Sequence, residues 1–110
     1  MNLPVILFEE DGAQIMYCPA LDLSGYGKTE TAAFDSFKIV VAEYFDYTLK
    51  KKTLLDDLSR LGWQLGKNLK KKLTPPAFSK LLQTNDNFKR IFDNHSFRKT
   101  DTLIQIPAFA

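Results

Sequence analysis

The residues that most suggest chemistry in this chain are Gly25-Tyr26-Gly27-Lys28-Thr29. Glycine, lysine and a hydroxyl residue between a strand and a helix resemble the end of a phosphate-cradling loop, in which backbone N–H groups and the lysine hold phosphate and the hydroxyl holds magnesium. The full loop needs another glycine five positions before Gly27, and Asp22 stands there. Its carboxylate would repel phosphate, and its side chain would crowd the loop. The segment therefore reads as a glycine-rich turn whose Thr29 caps the following helix.

Other routes to catalysis are equally thin. A metal site needs three or four ligands, and Cys18 and His95 are the single cysteine and histidine, far apart in sequence. Cys18 reads as a small buried hydrophobe and His95 as a turn or helix-end residue. Ser24 and Ser96 lie outside any Gly-x-Ser-x-Gly elbow. His95 could act as a base, but nothing places a nucleophile or an orienting acid beside it. Glu9, Glu10, Asp11 and Asp22 gather around a hairpin, where acids are usually solvated. The residues thus give no catalytic group, no metal ligand and no cofactor.

Charge offers binding rather than catalysis. Residues 1–48 carry a net charge of −6, residues 49–73 carry +6 and residues 74–110 carry +2. An acidic front and a basic back imply two differently charged surfaces, or simply solvated faces that keep the protein dispersed. Lys50, Lys51 and Lys52, with Lys70, Lys71 and Lys72, could contact nucleic-acid phosphates, and such binding would weaken steeply with salt. Arg60 and Lys67 would extend that patch. No aromatic interleaving marks a base-stacking platform, and no base-reading helix is evident.

The elements that must position these groups follow from pattern. Val5, Leu7 and the stretch to Glu10 read as a first strand, and Asp11-Gly12 is a hairpin turn because both residues tolerate positive φ. Gln14 to Cys18 returns, Pro19 ends it, and Leu21-Asp22-Leu23 reads as a third short strand closed by Gly25 and Gly27. From Thr29, the apolar residues Phe34, Phe37, Val41, Tyr44 and Phe45 recur at steps of three and four, which predicts a long helix ending at Lys50–Lys52. Thr53 caps a shorter helix lined by Leu54, Leu55, Leu58 and Leu61, with Gly62 after its end. Trp63 to Leu73 is open between strand and loop. Pro76 begins a short helix and Asn85 or Asp86 caps another. Thr102 to Ile106 reads as a final strand stopped by Pro107. The expected class is α+β: a small antiparallel sheet (β-β-β-α plus a C-terminal strand), one long helix packed on it, and short additional helices.

The length of 110 residues suits one domain, residues 1–110, able to bury a core without disulfides. A lone cysteine suits a reducing compartment. With no long apolar run and no basic-then-apolar N-terminus, a cytoplasmic location without membrane contact is expected.

The run Tyr17-Cys18-Pro19-Ala20-Leu21-Asp22-Leu23 through Gly27-Lys28-Thr29, preceded by Glu10-Asp11-Gly12, resembles the HicB-like antitoxin domain. The resemblance covers about residues 3–49, and Leu103-Ile104-Gln105-Ile106-Pro107 is similar to that family's last strand. Residues 53–97 then stand as a helical insertion. The resemblance implies a partial ribonuclease H-like fold lacking the metal-binding carboxylates of nucleases. It also implies a non-enzymatic module that binds and inhibits a small basic RNA-cleaving toxin of the HicA kind. Many members add a DNA-binding helix-turn-helix or ribbon-helix-helix, and neither is legible here. An acidic front half suits a basic partner, with Glu9, Glu10, Asp11 and Asp22 as candidate contacts. Hairpin edges can also pair between chains, which adds a homodimer to the expected partners. The alternative is a nucleic-acid-binding module using the two lysine triplets.

Overall fold

The computed structural model describes residues 1–66 and 73–107. Its centre is a four-stranded antiparallel sheet in the order β3 (Leu23–Gly27), β2 (Ala13–Cys18), β1 (Asn2–Glu10) and β6 (Phe97–Leu103). Strand β1 (Asn2–Glu10) turns at Asp11 (φ 53°) and Gly12 (φ 81°) into β2 (Ala13–Cys18). Both turn residues take the left-handed conformation that the Asp-Gly pair was expected to supply. Strand β3 (Leu23–Gly27) follows, then helix α1 (Glu30–Lys51). Thr29 Oγ1 accepts from the Ala32 N–H at 3.1 Å, so the expected N-cap is made.

The third strand begins two residues later than its sequence pattern suggests and runs through both glycines instead of stopping at them. The reason is the packing of α1. A Cβ at Gly25 would overlap the backbone nitrogen of Phe37 and stand 2.7 Å from the Ala33 carbonyl oxygen. The glycines let helix and strand backbones touch, a requirement of packing rather than of phosphate binding.

Register shows which residues share each side of the sheet. Leu7 lies opposite Met16, and Met16 opposite Gly25, so these residues face α1. Ile6 opposite Tyr17 and Phe8 opposite Ile15 face the other way. After α1 come α2 (Leu54–Arg60), the antiparallel pair β4 (Gln64–Leu65) and β5 (Leu73–Thr74), α3 (Phe78–Thr84) and α4 (Asp86–Asn94), and the second face is met by α4 and by Trp63. Phe88 of α4 is buried with its ring 6.3 Å from Tyr17 and 4.8 Å from Phe78. His95, the C-cap of α4, stacks at 5.0 Å on Phe8. Trp63 is buried and donates from Nε1 to the Ala20 carbonyl at 2.7 Å. Strand β1 is therefore apolar on both sides, as Val5-Ile6-Leu7-Phe8 requires.

Two further boundaries and one cap differ from the sequence reading. Helix α3 starts at Phe78, two residues past Pro76, with no side-chain cap. Thr53 precedes α2 without a side-chain cap bond, and only its carbonyl accepts from Asp57. The last strand is β6 (Phe97–Leu103) rather than Thr102 to Ile106. It pairs with β1 from Phe8↔Phe97 to Asn2↔Leu103 and stops when β1 runs out of residues. Pairing length set this boundary, and β-propensity did not.

Candidate protein-binding surface

The sheet has two edges, and they are treated differently. On β3 the outward N–H of Tyr26 is met by Ser36 Oγ of α1 at 3.3 Å. Strand β6 pairs with β1 along its whole length, and on its outer side no strand is paired among the described residues. It is long for an edge and carries charges of both signs, Arg98, Lys99 and Asp101. Leu103 at its end is 68% exposed.

Beside this edge runs a groove of about 230 Å³ between α1 and β6, lined by Phe34, Val41, Phe45, Thr102, Leu103 and Ile104. It exists because α1 lies over β3 and β2, leaving the β6 side of the sheet partly open. Lys38 sits over the Phe34 ring at 5.0 Å on one bank. At the far end of β6, Arg98 reaches across to Glu30 at 2.6 Å and ties the start of α1 to the strand. An edge that offers backbone groups, next to an apolar groove, can take an extended segment and seat its side chains.

The acids singled out from sequence do not form one patch. Glu9, Glu10 and Asp11 sit at the β1–β2 hairpin, while Asp22 (φ 54°) lies at the other end of β2, about 20 Å away by strand rise. Glu10 accepts from Arg90 at 3.4 Å and lies 3.3 Å from His95 Nε2, which fastens α4 to the hairpin. Asp22 accepts from the Tyr17 hydroxyl and from Asn87 Nδ2 at 3.4 Å. Asn85 Nδ2 donates to the Tyr17 hydroxyl at 2.9 Å, while its Oδ1 caps α4 by accepting from Phe88 N–H at 3.0 Å. Burial, then the Asp22 carboxylate, push the Tyr17 hydroxyl well above the usual phenol range. A cleft of about 440 Å³ opens beside this network, with Arg60 and Lys80 on its rim. Among the described residues no buried side-chain polar atom lacks a hydrogen-bond partner, so the network acts as a clamp between sheet and helices.

Lys50, Lys51 and Lys52 are exposed at the end of α1. Lys50 pairs with Asp46 at 2.9 Å, and Lys52 closes the helix in the left-handed conformation (φ 58°). Lys70, Lys71 and Lys72 lie outside the described residues. Cys18 is fully buried, and burial pushes its thiol up to about 11. Among the described residues no group of three or more His, Cys, Asp or Glu could hold a metal ion, and no helix is long and apolar enough to cross a membrane.

Sequence reasoning missed the β6 edge and its groove. The available signal was Phe97-Arg98-Lys99-Thr100-Asp101-Thr102-Leu103, a run of mixed charge and threonine flanked by apolar residues, too polar for a strand inside a sheet. No family model, curated protein or solved structure matches this chain.

Proposed function

We propose that this chain is a non-enzymatic protein-binding module of the kind the HicB-like resemblance implies, gripping its partner along β6 and the adjoining groove. The observation that carries this reading is the open seven-residue edge beside an apolar groove, with Leu103 largely exposed at the junction. Strand addition would supply affinity through backbone bonds, and the groove would select side chains. The β-β-β-α order with a C-terminal strand in the same sheet is the arrangement that the resemblance implies. A small basic ribonuclease toxin is the partner class implied, and the exposed Glu9 and Asp11 with the −6 front half favour a basic protein. The homodimer expected from sequence would also use an edge of this kind.

The test is affinity capture from the native host with the wild type and with Leu103→Glu in parallel. A small basic protein held by the wild type and lost by the variant supports the reading. Capture that is indifferent to Leu103→Glu and to Phe34→Asp would remove this surface from consideration. Nucleic-acid binding is the second reading, favoured by the exposure of all three lysines at the end of α1. Fluorescence anisotropy with labelled RNA across a salt series tests it: affinity unchanged by salt and by Lys50→Gln/Lys51→Gln/Lys52→Gln excludes it.

A further inference from the structure

The hydrogen bonds at the sheet's corner show which way β6 points its backbone. Met1 donates to the Ile104 carbonyl at 3.1 Å, and Ile104 donates back to Met1 at 2.8 Å. That exchange marks a hydrogen-bonded pair of the antiparallel ladder. Alternation from it turns the N–H and C=O groups of Thr102, Thr100 and Arg98 toward β1. Those of Leu103, Asp101, Lys99 and Phe97 point outward, where no strand pairs with them among the described residues.

Resting on the reading of β6 as a binding edge, we infer that this edge takes a second copy of the same strand, antiparallel, about a two-fold axis at Thr100. In a ladder, outward-facing residues must pair with outward-facing residues. With the axis at Thr100, Lys99 lies opposite the partner's Asp101 and Asp101 opposite the partner's Lys99. Phe97 lies opposite the partner's Leu103. Thr100 meets its own copy in a non-hydrogen-bonded pair, a favourable cross-strand match. All four outward residues of each strand then find partners at once.

The neighbouring registers fail on charge. Moving the axis one residue toward the N-terminus sets Lys99 on the partner's Lys99, and moving it the other way sets Asp101 on the partner's Asp101. Like charges directly opposite are destabilising, so the sequence of the edge selects one alignment of full overlap. The same alignment explains an exposed apolar cluster. Phe97 packs at 5.3 Å on Phe92, which is 42% exposed, and the partner's Leu103 would arrive beside that pair. The product is a continuous eight-stranded sheet, β3-β2-β1-β6 followed by its symmetry mate, with a closed isologous interface.

The experiment uses the full chain in sedimentation-equilibrium and native mass measurements. The wild type should be a dimer. Lys99→Asp turns two attractive pairs into two repulsive ones and should weaken the dimer by about tenfold or more. Asp101→Lys should do the same, while Lys99→Asp/Asp101→Lys exchanges the partners and restores the dimer. Thr100→Cys places two thiols on the axis in a non-hydrogen-bonded pair, whose Cα atoms stand about 4.5 Å apart, within disulfide reach. It should form a disulfide dimer under mild oxidant, whereas Thr102→Cys should not. Native Cys18 is buried and stays out of the reaction. A wild type that remains monomeric at its solubility limit overturns the inference, as does a dimer indifferent to Lys99→Asp. Should the monomer still capture a separate protein through Leu103, the self-pairing falls while the protein-binding reading stands.

Discussion

The two faces of the sheet are covered by different physical solutions. Under α1, small residues bring backbones together: Gly25 and Gly27 admit the helix, and Ala33 is buried against the strand. On the other face, large side chains do the filling: the Phe88 ring meets those of Tyr17 and Phe78, Trp63 bonds the Ala20 carbonyl, and polar links from Tyr17 to Asp22 and Asn85 fix the layer. The first face depends on the absence of atoms and the second on their presence. Close contact of α1 with β3 also shifts the helix away from β6, which opens the groove on one side of the binding edge. Helices α3 and α4 support the same edge from behind through Phe92–Phe97 and Lys99–Phe78.

This contrast can be broken from either side. The largest expected effect is on the filled face. Phe88→Ala deletes a fully buried ring and should cost about 3–5 kcal/mol of unfolding free energy in urea titration. On the close-contact face, Gly25→Ala should cost about 1–3 kcal/mol, although it only adds a methyl group, because backbone atoms stand in its way and cannot rotate aside. It should also narrow or reshape the α1–β6 groove, which the same titration with the bound partner would report. If Gly25→Ala proved neutral, the close approach of α1 would be wrong.

The smallest expected effect is alkaline. Tyr17 and Tyr44 are both raised, first by burial and then by the carboxylates of Asp22 and Asp57. A phenol with a raised pKa in the folded state contributes stability that is present below its unfolded value, about 10, and is lost as pH rises past it. Stability should therefore fall above pH ~10. Cys18, pushed up to about 11, begins the same loss nearer its ordinary thiol range. Tyr17→Phe should flatten the alkaline slope of the polar layer at a cost of about 1 kcal/mol at neutral pH. An unchanged slope in Tyr17→Phe and Tyr44→Phe together would show that neither phenol is held as the structure has it.

The parts legible in sequence share a cause. Asp11-Gly12, Thr29 and Gly62 set backbone conformations through their own side chains or the lack of one, so their roles could be assigned without neighbours. The apolar spacing of Phe37, Val41 and Phe45 marked the buried stripe of α1 for the same reason. The acids misled because proximity in sequence is not proximity along a strand: Glu10 and Asp22 flank β2 but stand at its opposite ends. Glu10 then serves Arg90 and His95, eighty residues and more away.

By itself the sequence determined the local units: the hairpin, the long capped helix, the short helices, and the α+β class they compose. Periodicity, caps and turn residues act within a few positions, and each leaves a mark that can be read in place. Tertiary structure alone decided that α4 and Trp63 meet the second face, that β6 lies beside β1, and that Phe97, Lys99, Asp101 and Leu103 turn their backbone groups outward. Those outcomes depend on strand order and on the long ladder between β1 and β6, which runs from Phe8↔Phe97 to the exchange between Met1 and Ile104. A contact that closes nearly the whole chain has no local pattern to announce it, because its free energy exists only when both ends are in place.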